Sequence, residues 1–312
     1  MTGLAAALAA ALGRPVVRLD SVAGGDLNDA FAATLDDGMR VFAKTSADPA
    51  AAGSFAAEAA GLRWLAEPDA IAIPEVLAVA DSPASHAAGS SPDRTGGSPD
   101  APAAAPRFLA LAWIDAGPST PVADEALGRG LAALHAAGAP AFGGPDDTLR
   151  IGPLALPNEP ADDWPSFYAT RRLEPLARRA HDRGALPPEA PELLDRLIAR
   201  LPELAGPPEP PARVHGDLWS GNVLVGADER PRLIDPAAHG GHRELDLAML
   251  RLFGGMGGVG SRCFQAYEEA APLATGARER TALWQLAPLL LHAALFGPSW
   301  GARATEVMRR YA

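Results

Sequence analysis

The segment His215-Gly216-Asp217-Leu218-Trp219-Ser220-Gly221-Asn222 places an Asp and an Asn with four residues between them. Shortly after comes Leu233-Ile234-Asp235-Pro236, a second Asp at the end of an apolar run. Two acids and an amide in this order suit phosphoryl transfer. That chemistry needs an acceptor hydroxyl held in line and a divalent cation on the β- and γ-phosphates. Mg²⁺ takes oxygen ligands and uses only one or two carboxylates, completing its shell with phosphate and water. Asp217 can orient the hydroxyl and accept its proton, while Asn222 and Asp235 supply oxygens for the metal. Either Asp217 or Asn222 alone would be an ordinary turn residue; the whole string at this spacing is specific.

Other residues gain meaning beside that loop. Gly24-Gly25-Asp26-Leu27-Asn28 reads as a turn between two strands, where Gly24, Gly25 and Asp26 let backbone amides approach phosphates. Lys44, the sole lysine of the chain, ends a strand, and Glu58 follows fourteen residues later in a helix. A Lys held by a Glu is the phosphate-binding pair of kinases. His135 and His292 read as core or loop-bracing histidines. Asp246, in Arg243-Glu244-Leu245-Asp246-Leu247, reads as a buried anchor for the catalytic loop, and His215 shares that role. The link from Asp235 to Asp246 is short, with no Ala-Pro-Glu and no extended activation segment. A small acceptor in a pocket fits this better than a peptide.

The elements that must carry these residues follow from periodicity. Strands are expected at 16–19, 30–35 and 40–44, with Asp36-Asp37-Gly38 as a hairpin turn. Phe55, Ala59, Leu62 and Leu65 fall on one face of a helix, and two more strands occupy 74–80 and 107–114. Helices are expected at 125–137, 163–181, 191–204, 244–252, 262–271, 278–296 and 303–311, with short strands on either side of the 214–225 loop and at 232–234. A strand-rich first third before a helical remainder predicts an α+β fold in two lobes. The N-terminal nucleotide-binding lobe, 1–115, carries the antiparallel sheet; the larger, mainly helical lobe, 116–312, carries catalysis and acceptor binding. The Pro-, Ser- and Gly-rich stretch 82–106 cannot bury a core and reads as a disordered hairpin insertion.

Bulk properties narrow the class. The chain has 312 residues and a net charge of −11, which argues against a nucleic-acid surface. Its one cysteine, Cys263, excludes an internal disulfide. No apolar run reaches the roughly 20 residues of a membrane span, and the apolar Leu4–Leu12 run lacks the flanks of a signal peptide. The expected location is the cytoplasm, without nucleic-acid or membrane partners.

With Trp219 inside it, the string from His215 to Asn222 resembles the signature of the fructosamine kinase (ketosamine 3-kinase) family. So do Ile234-Asp235-Pro236, Arg243 to Met249 and Phe253-Gly254-Gly255. Ile151-Gly152, Pro157-Asn158, Asp163-Trp164-Pro165-Ser166-Phe167-Tyr168, Arg171-Arg172-Leu173, Leu289 to His292 and Leu295-Phe296-Gly297 extend the likeness. The resemblance covers essentially the whole chain outside 82–106. It implies a protein-kinase-like fold, ATP and Mg²⁺, and a small or protein-linked ketosamine phosphorylated at its 3-hydroxyl, which frees the amine and reverses glycation. It also implies Asp217 as proton acceptor and Ala112, Trp113 and Ile114 as the hinge that meets adenine through backbone groups. Trp219 and His292 become candidate acceptor contacts. Three departures stand out. Ala112 occupies a hinge position that is often acidic, Glu159-Pro160 replaces an expected aromatic, and no cysteine in the glycine-rich turn could give redox control. The competing readings are an aminoglycoside or other small-alcohol phosphotransferase of the same fold, and an inactive nucleotide-binding module. The latter requires the loss of Lys44, Asp217, Asn222 or Asp235, all of which are present.

Overall fold

The computed structural model describes residues 2–22, 28–81, 106–144, 146–253 and 259–312. The turn residues Gly24, Gly25 and Asp26, and nearly all of the 82–106 stretch, lie outside these residues. The chain divides into two compact units, Met1–Ala60 with Pro74–Ile114, and Gly61–Ile73 with Asp115–Ala312.

The first unit opens with helix α1 (Thr2–Leu12) and strands β1 (Val16–Val22), β2 (Asp29–Leu35) and β3 (Arg40–Thr45). Helix α2 (Ser54–Ala66) and strands β4 (Val76–Ala80) and β5 (Phe108–Ala112) complete it. The sheet is antiparallel, in the order β1-β2-β3-β5-β4. Gly38, at φ 87°, makes the β2–β3 turn, a left-handed conformation with no penalty for glycine. Asp37 Oδ1 accepts the Met39 N–H there at 3.0 Å. Leu4 and Leu8 of α1 pack on Ala33, Leu35, Val41, Ala43, Phe108 and Ala110, each apolar residue contributing roughly 1–3 kcal/mol by burial. The face expected for α2 is buried: Phe55, Ala59, Leu62 and Leu65 are at most 1 % exposed.

The second unit is mainly helical. Helix α3 (Pro121–Ala136) starts earlier than periodicity placed it. Thr120 caps it by accepting the Ala123 N–H at 3.1 Å, and Pro121 needs no N–H partner in the first turn. A hairpin that the sequence did not signal follows, β6 (Thr148–Ile151) with β7 (Leu154–Pro157). The helix expected over 163–181 is divided into α4 (Trp164–Phe167), a π-helical turn (Tyr168–Leu173) and α5 (Glu174–Asp182). Pro175 has no N–H for the carbonyl of Arg171, which accepts from Arg172 Nη1 at 3.0 Å instead.

Helix α6 (Ala190–Leu204) leads to the short strands β8 (Ala212–Val214), β9 (Val223–Val225), β10 (Pro231–Leu233) and β11 (His239–Gly241). Helices α7 (Glu244–Leu252), α8 (Ser261–Ala270), α9 (Ala277–Trp284), α10 (Leu286–Phe296) and α11 (Pro298–Tyr311) follow. The single helix expected over 278–296 is therefore two. Pro288 cannot donate to the Trp284 carbonyl, which accepts from Tyr168 Oη at 3.3 Å, and Tyr168 Oη in turn accepts the Ala287 N–H at 3.1 Å. One apolar core joins α4 to α6 with α9 to α11, and another joins α3, α7 and α8 with Leu218 and Leu233. Among the described residues no helix is long and apolar enough to cross a membrane.

Candidate active site

Strand β8 delivers the chain into the 215–222 loop, and β11 pairs beside it with His239 opposite Val214. Gly216 adopts φ 81°, and a Cβ there would stand 2.1 Å from the Ala237 carbonyl oxygen. Only glycine fits. A 3₁₀ turn at Ser220–Asn222 then hands the chain to β9, which pairs with β10, so the strand ahead of Asp235 is laid beside the loop. The Ile234 N–H donates to the Asn222 carbonyl at 3.0 Å, and the Ala237 N–H to the His215 carbonyl at 3.0 Å.

Two buried residues hold this arrangement. His215 Nε2 donates to the Ile234 carbonyl at 2.9 Å, and its Nδ1 accepts the Asp217 N–H at 3.3 Å. It thereby ties the loop's acid to the residue before Asp235. Burial lowers the His215 pKa, with the charges of Asp246 and Asp235 opposing. Asp246, fully buried, accepts the His215 N–H at 2.8 Å and the Gly216 N–H at 3.0 Å. Its Oδ2 also meets His135 Nε2 at 3.2 Å, and His135 Nδ1 meets Tyr267 Oη at 2.8 Å. Burial works against the Asp246 charge, yet the hydrogen bond from His135 and the backbone N–H of His215 hold its pKa below the usual carboxylate range. Asp246, His215 and His135 thus take the bracing positions expected for them.

Asp217 sits at the mouth of this scaffold. Its pKa is pushed up to about 7, first by burial and then by the charge of Asp235, while a hydrogen bond from Asn222 opposes the rise. A group titrating there is poised to take a proton near neutral pH. Asn222 donates Nδ2 to the Asp217 carbonyl at 2.8 Å and to Asp217 Oδ2 at 3.3 Å, which leaves its own Oδ1 as the atom able to face a cation. Asp235 is held at φ 54°, a strained backbone for a non-glycine residue that commonly marks a functional position. Among the described residues no group of three or more His, Cys, Asp or Glu forms a closed metal cage. The amide oxygen of Asn222 and the carboxylate of Asp235 fit Mg²⁺, which keeps its remaining positions for phosphate and water.

In the first unit, Lys44 Nζ and Glu58 Oε2 are 2.6 Å apart, with side chains only 7 % and 13 % exposed. The pair expected fourteen residues apart is therefore formed, and buried. At the end of β5 the Ala112 N–H is already spent on the Glu75 carbonyl at 2.9 Å, so a main-chain hinge donor has to come from Trp113 or Ile114. The Arg40 guanidinium lies 3.8 Å over the Trp113 ring.

Trp219 lies against Gly221, where a Cβ would meet its ring at 2.2 Å. From Trp219 an aromatic run leads to Phe253 at 6.0 Å, then to His292 at 5.2 Å and on to Trp300, 4.6 Å from His292. His292 Nδ1 donates to the Pro288 carbonyl at 2.8 Å. Both candidate acceptor contacts therefore belong to one aromatic wall of the second unit. Phe253 stood in the sequence only as part of the Phe253-Gly254-Gly255 string, with no acceptor role, and Trp300 was not singled out, since aromatics at helix ends look like core residues. Tyr168, Arg172 and His239, which line a cavity together with Asp217, were given no role from the sequence; the signals were the Asp163 to Tyr168 and Arg171-Arg172-Leu173 strings, and none pointed to His239.

The fold, with its helical unit bearing this loop, is of the protein-kinase-like class, and the chain's family and relatives make it a phosphotransferase that acts on an alcohol group. An aminoglycoside phosphotransferase shares that fold at TM-score 0.62 and 18% identity, covering 100% of this chain and 99% of its own. The chain belongs to the fructosamine kinase family, whose sequence profile matches residues 1–312. A candidate fructosamine-3-kinase of Thermobifida fusca is similar at 41% identity and TM-score 0.85, covering 99% of this chain and 98% of that one. A chloroplastic protein-ribulosamine 3-kinase of Arabidopsis thaliana is 31% identical over 300 residues, 95% of this chain and 83% of its own length.

Proposed function

We propose that this protein transfers the γ-phosphoryl group of ATP to the 3-hydroxyl of a ketosamine, free or protein-linked, as a step of deglycation in the cytoplasm. The observation that carries this reading is the carboxylate of Asp217, poised near neutrality and flanked by Asn222 and Asp235. Family membership supplies the acceptor class.

In this reading Asp217 orients the 3-hydroxyl and takes its proton as the oxygen attacks. His215 and Asp246 keep that carboxylate in place, so little reorganisation is left for the reacting complex. Lys44, fixed by Glu58, presents positive charge to the donor's phosphates, and Trp113 and Ile114 offer backbone groups to adenine. Asn222 and Asp235 would hold Mg²⁺, which neutralises charge on the β- and γ-phosphates. Trp219 and His292 line the acceptor, where aromatic faces suit the secondary ammonium beside the sugar.

The test is an acceptor panel in which ADP release is followed with ribulosyl-lysine, fructosyl-lysine and kanamycin. Turnover of the two ketosamines without kanamycin is expected. Turnover of kanamycin alone would reject the reading in favour of an aminoglycoside phosphotransferase.

A further inference from the structure

Asp217 lines one side of a cavity of about 30 Å³ in the helical unit, room for a hydroxymethyl group or a pair of waters. Ile151, Leu156, Leu245, Met249 and Leu291 give it apolar walls, and Asp217, Tyr168, Arg172 and His239 give it polar ones.

Arg172 and His239 each carry an unused atom. Arg172, 3 % exposed, commits Nη1 to the Pro157 carbonyl at 2.8 Å and Nη2 to Asn158 Oδ1 at 2.7 Å, yet its buried Nε–H has no partner. His239, 1 % exposed, contacts the Ala237 carbonyl through Nδ1 at 2.8 Å. A carbonyl only accepts, so Nδ1 bears the proton and Nε2 is a bare acceptor; it too is buried without a partner. Orphaned buried groups of this kind are costly and call for an explanation. One lone donor and one lone acceptor on the walls of one cavity are the complement of a hydroxyl, which accepts and donates together.

The charges select further. Burial lowers the Arg172 pKa to about 9, which leaves it a cation at neutral pH, with Phe167 4.5 Å beneath it. Burial and that charge push His239 down to about 3, so its ring is neutral. An ammonium group entering here would meet a buried guanidinium whose hydrogen bonds go to the Pro157 and Arg171 carbonyls and to Asn158 Oδ1 rather than to a carboxylate. An uncharged hydroxyl meets no such penalty.

We propose that this cavity binds the terminal hydroxymethyl group of the acceptor's sugar chain, its oxygen accepting from Arg172 Nε–H and donating to His239 Nε2. The proposal rests on the ketosamine reading above and adds a direction to it. The polyol end points inward past Asp217, and the amine end lies towards the aromatic wall of Trp219 and His292.

The experiment compares kcat/KM of the full chain for a ketosamine and for its analogue with a terminal methyl in place of the hydroxymethyl, in wild type and in His239→Phe. Wild type should prefer the hydroxyl-bearing substrate by roughly tenfold or more, the effect of leaving buried partners unmet. In His239→Phe that preference should shrink towards unity, with KM for ATP unmoved. A wild-type ratio near one would mean the cavity holds water only and would overturn the proposal; so would a preference that survives His239→Phe intact. Should that variant fail to fold, the wild-type ratio decides alone. If wild type turned over neither ketosamine, the ketosamine reading itself would fall. Equal turnover of both would reject only the orientation.

Discussion

Replacing Asp217 by Asn should inactivate the protein and stabilise it. The side chain keeps its shape and can still accept from Asn222 Nδ2, now 3.3 Å from Oδ2, but the charge is gone. The Asp217 pKa is about 7 in the folded protein against 3.8 for the free side chain. Below pH 3.8 the carboxyl is protonated whether folded or not, and the substitution should change little. As the pH rises from there to about 7 the unfolded chain releases a proton that the folded protein retains, so folding loses about 1.4 kcal/mol per pH unit. Above pH 7 the full cost is reached, about 4 kcal/mol for a wholly enclosed group. The carboxylate is only part-buried at the edge of its pocket, so about 2 kcal/mol is the expected gain. That raises Tm by roughly 3 °C for a chain of 312 residues, at about 2.1 cal/mol/K of unfolding entropy per residue. Thermal unfolding of both proteins from pH 5 to pH 8, without nucleotide and with chelator, reads it directly. The gain should grow with pH, while kcat falls by about 10²–10⁴ with loss of the base. A variant no more stable than wild type at pH 8 would refute the strained carboxylate.

Three further substitutions probe the scaffold. Asp246→Asn puts an amide N–H₂ against a backbone N–H that now meets a carboxylate at 2.8 or 3.0 Å. It should cost about 3 kcal/mol in urea unfolding and lower kcat more than it raises KM. Glu58→Gln leaves the buried Lys44 without its charged partner at 2.6 Å, and should raise KM for ATP by about tenfold, roughly 1.4 kcal/mol, with KM for the acceptor unchanged. Gly216→Ala drives a Cβ to 2.1 Å from the Ala237 carbonyl at a positive φ. It should lower stability by more than about 1 kcal/mol and leave the loop inactive, as stability and turnover measurements would show together.

The sequence was most legible where residue type and spacing carry chemistry. Asp217, Asn222 and Asp235 fall around one loop because β9 and β10 are short and paired. Asp246 and His215 brace it as their positions beside apolar residues suggested. The Lys44–Glu58 pair was readable because a strand end and a helical turn leave few other arrangements. Helix continuity was less legible. Periodicity runs through 163–181 and 278–296, but Pro175 and Pro288 each deny an N–H to a carbonyl four residues back, and Tyr168 and Arg172 take up what is freed. The Tyr168 repair joins residues more than a hundred positions apart, which no local pattern encodes. The same holds for the cavity of Arg172 and His239, whose meaning lies in two atoms left without partners.

The most direct measurement is the position of the transferred phosphate. Fructosyl-lysine and ribulosyl-lysine should be incubated with ATP and Mg²⁺, and the product followed by ³¹P and ¹H NMR. A phosphomonoester on the 3-hydroxyl that then decays to free lysine is the expected result. ADP release without a phosphorylated ketosamine, or phosphate on another hydroxyl, would contradict it.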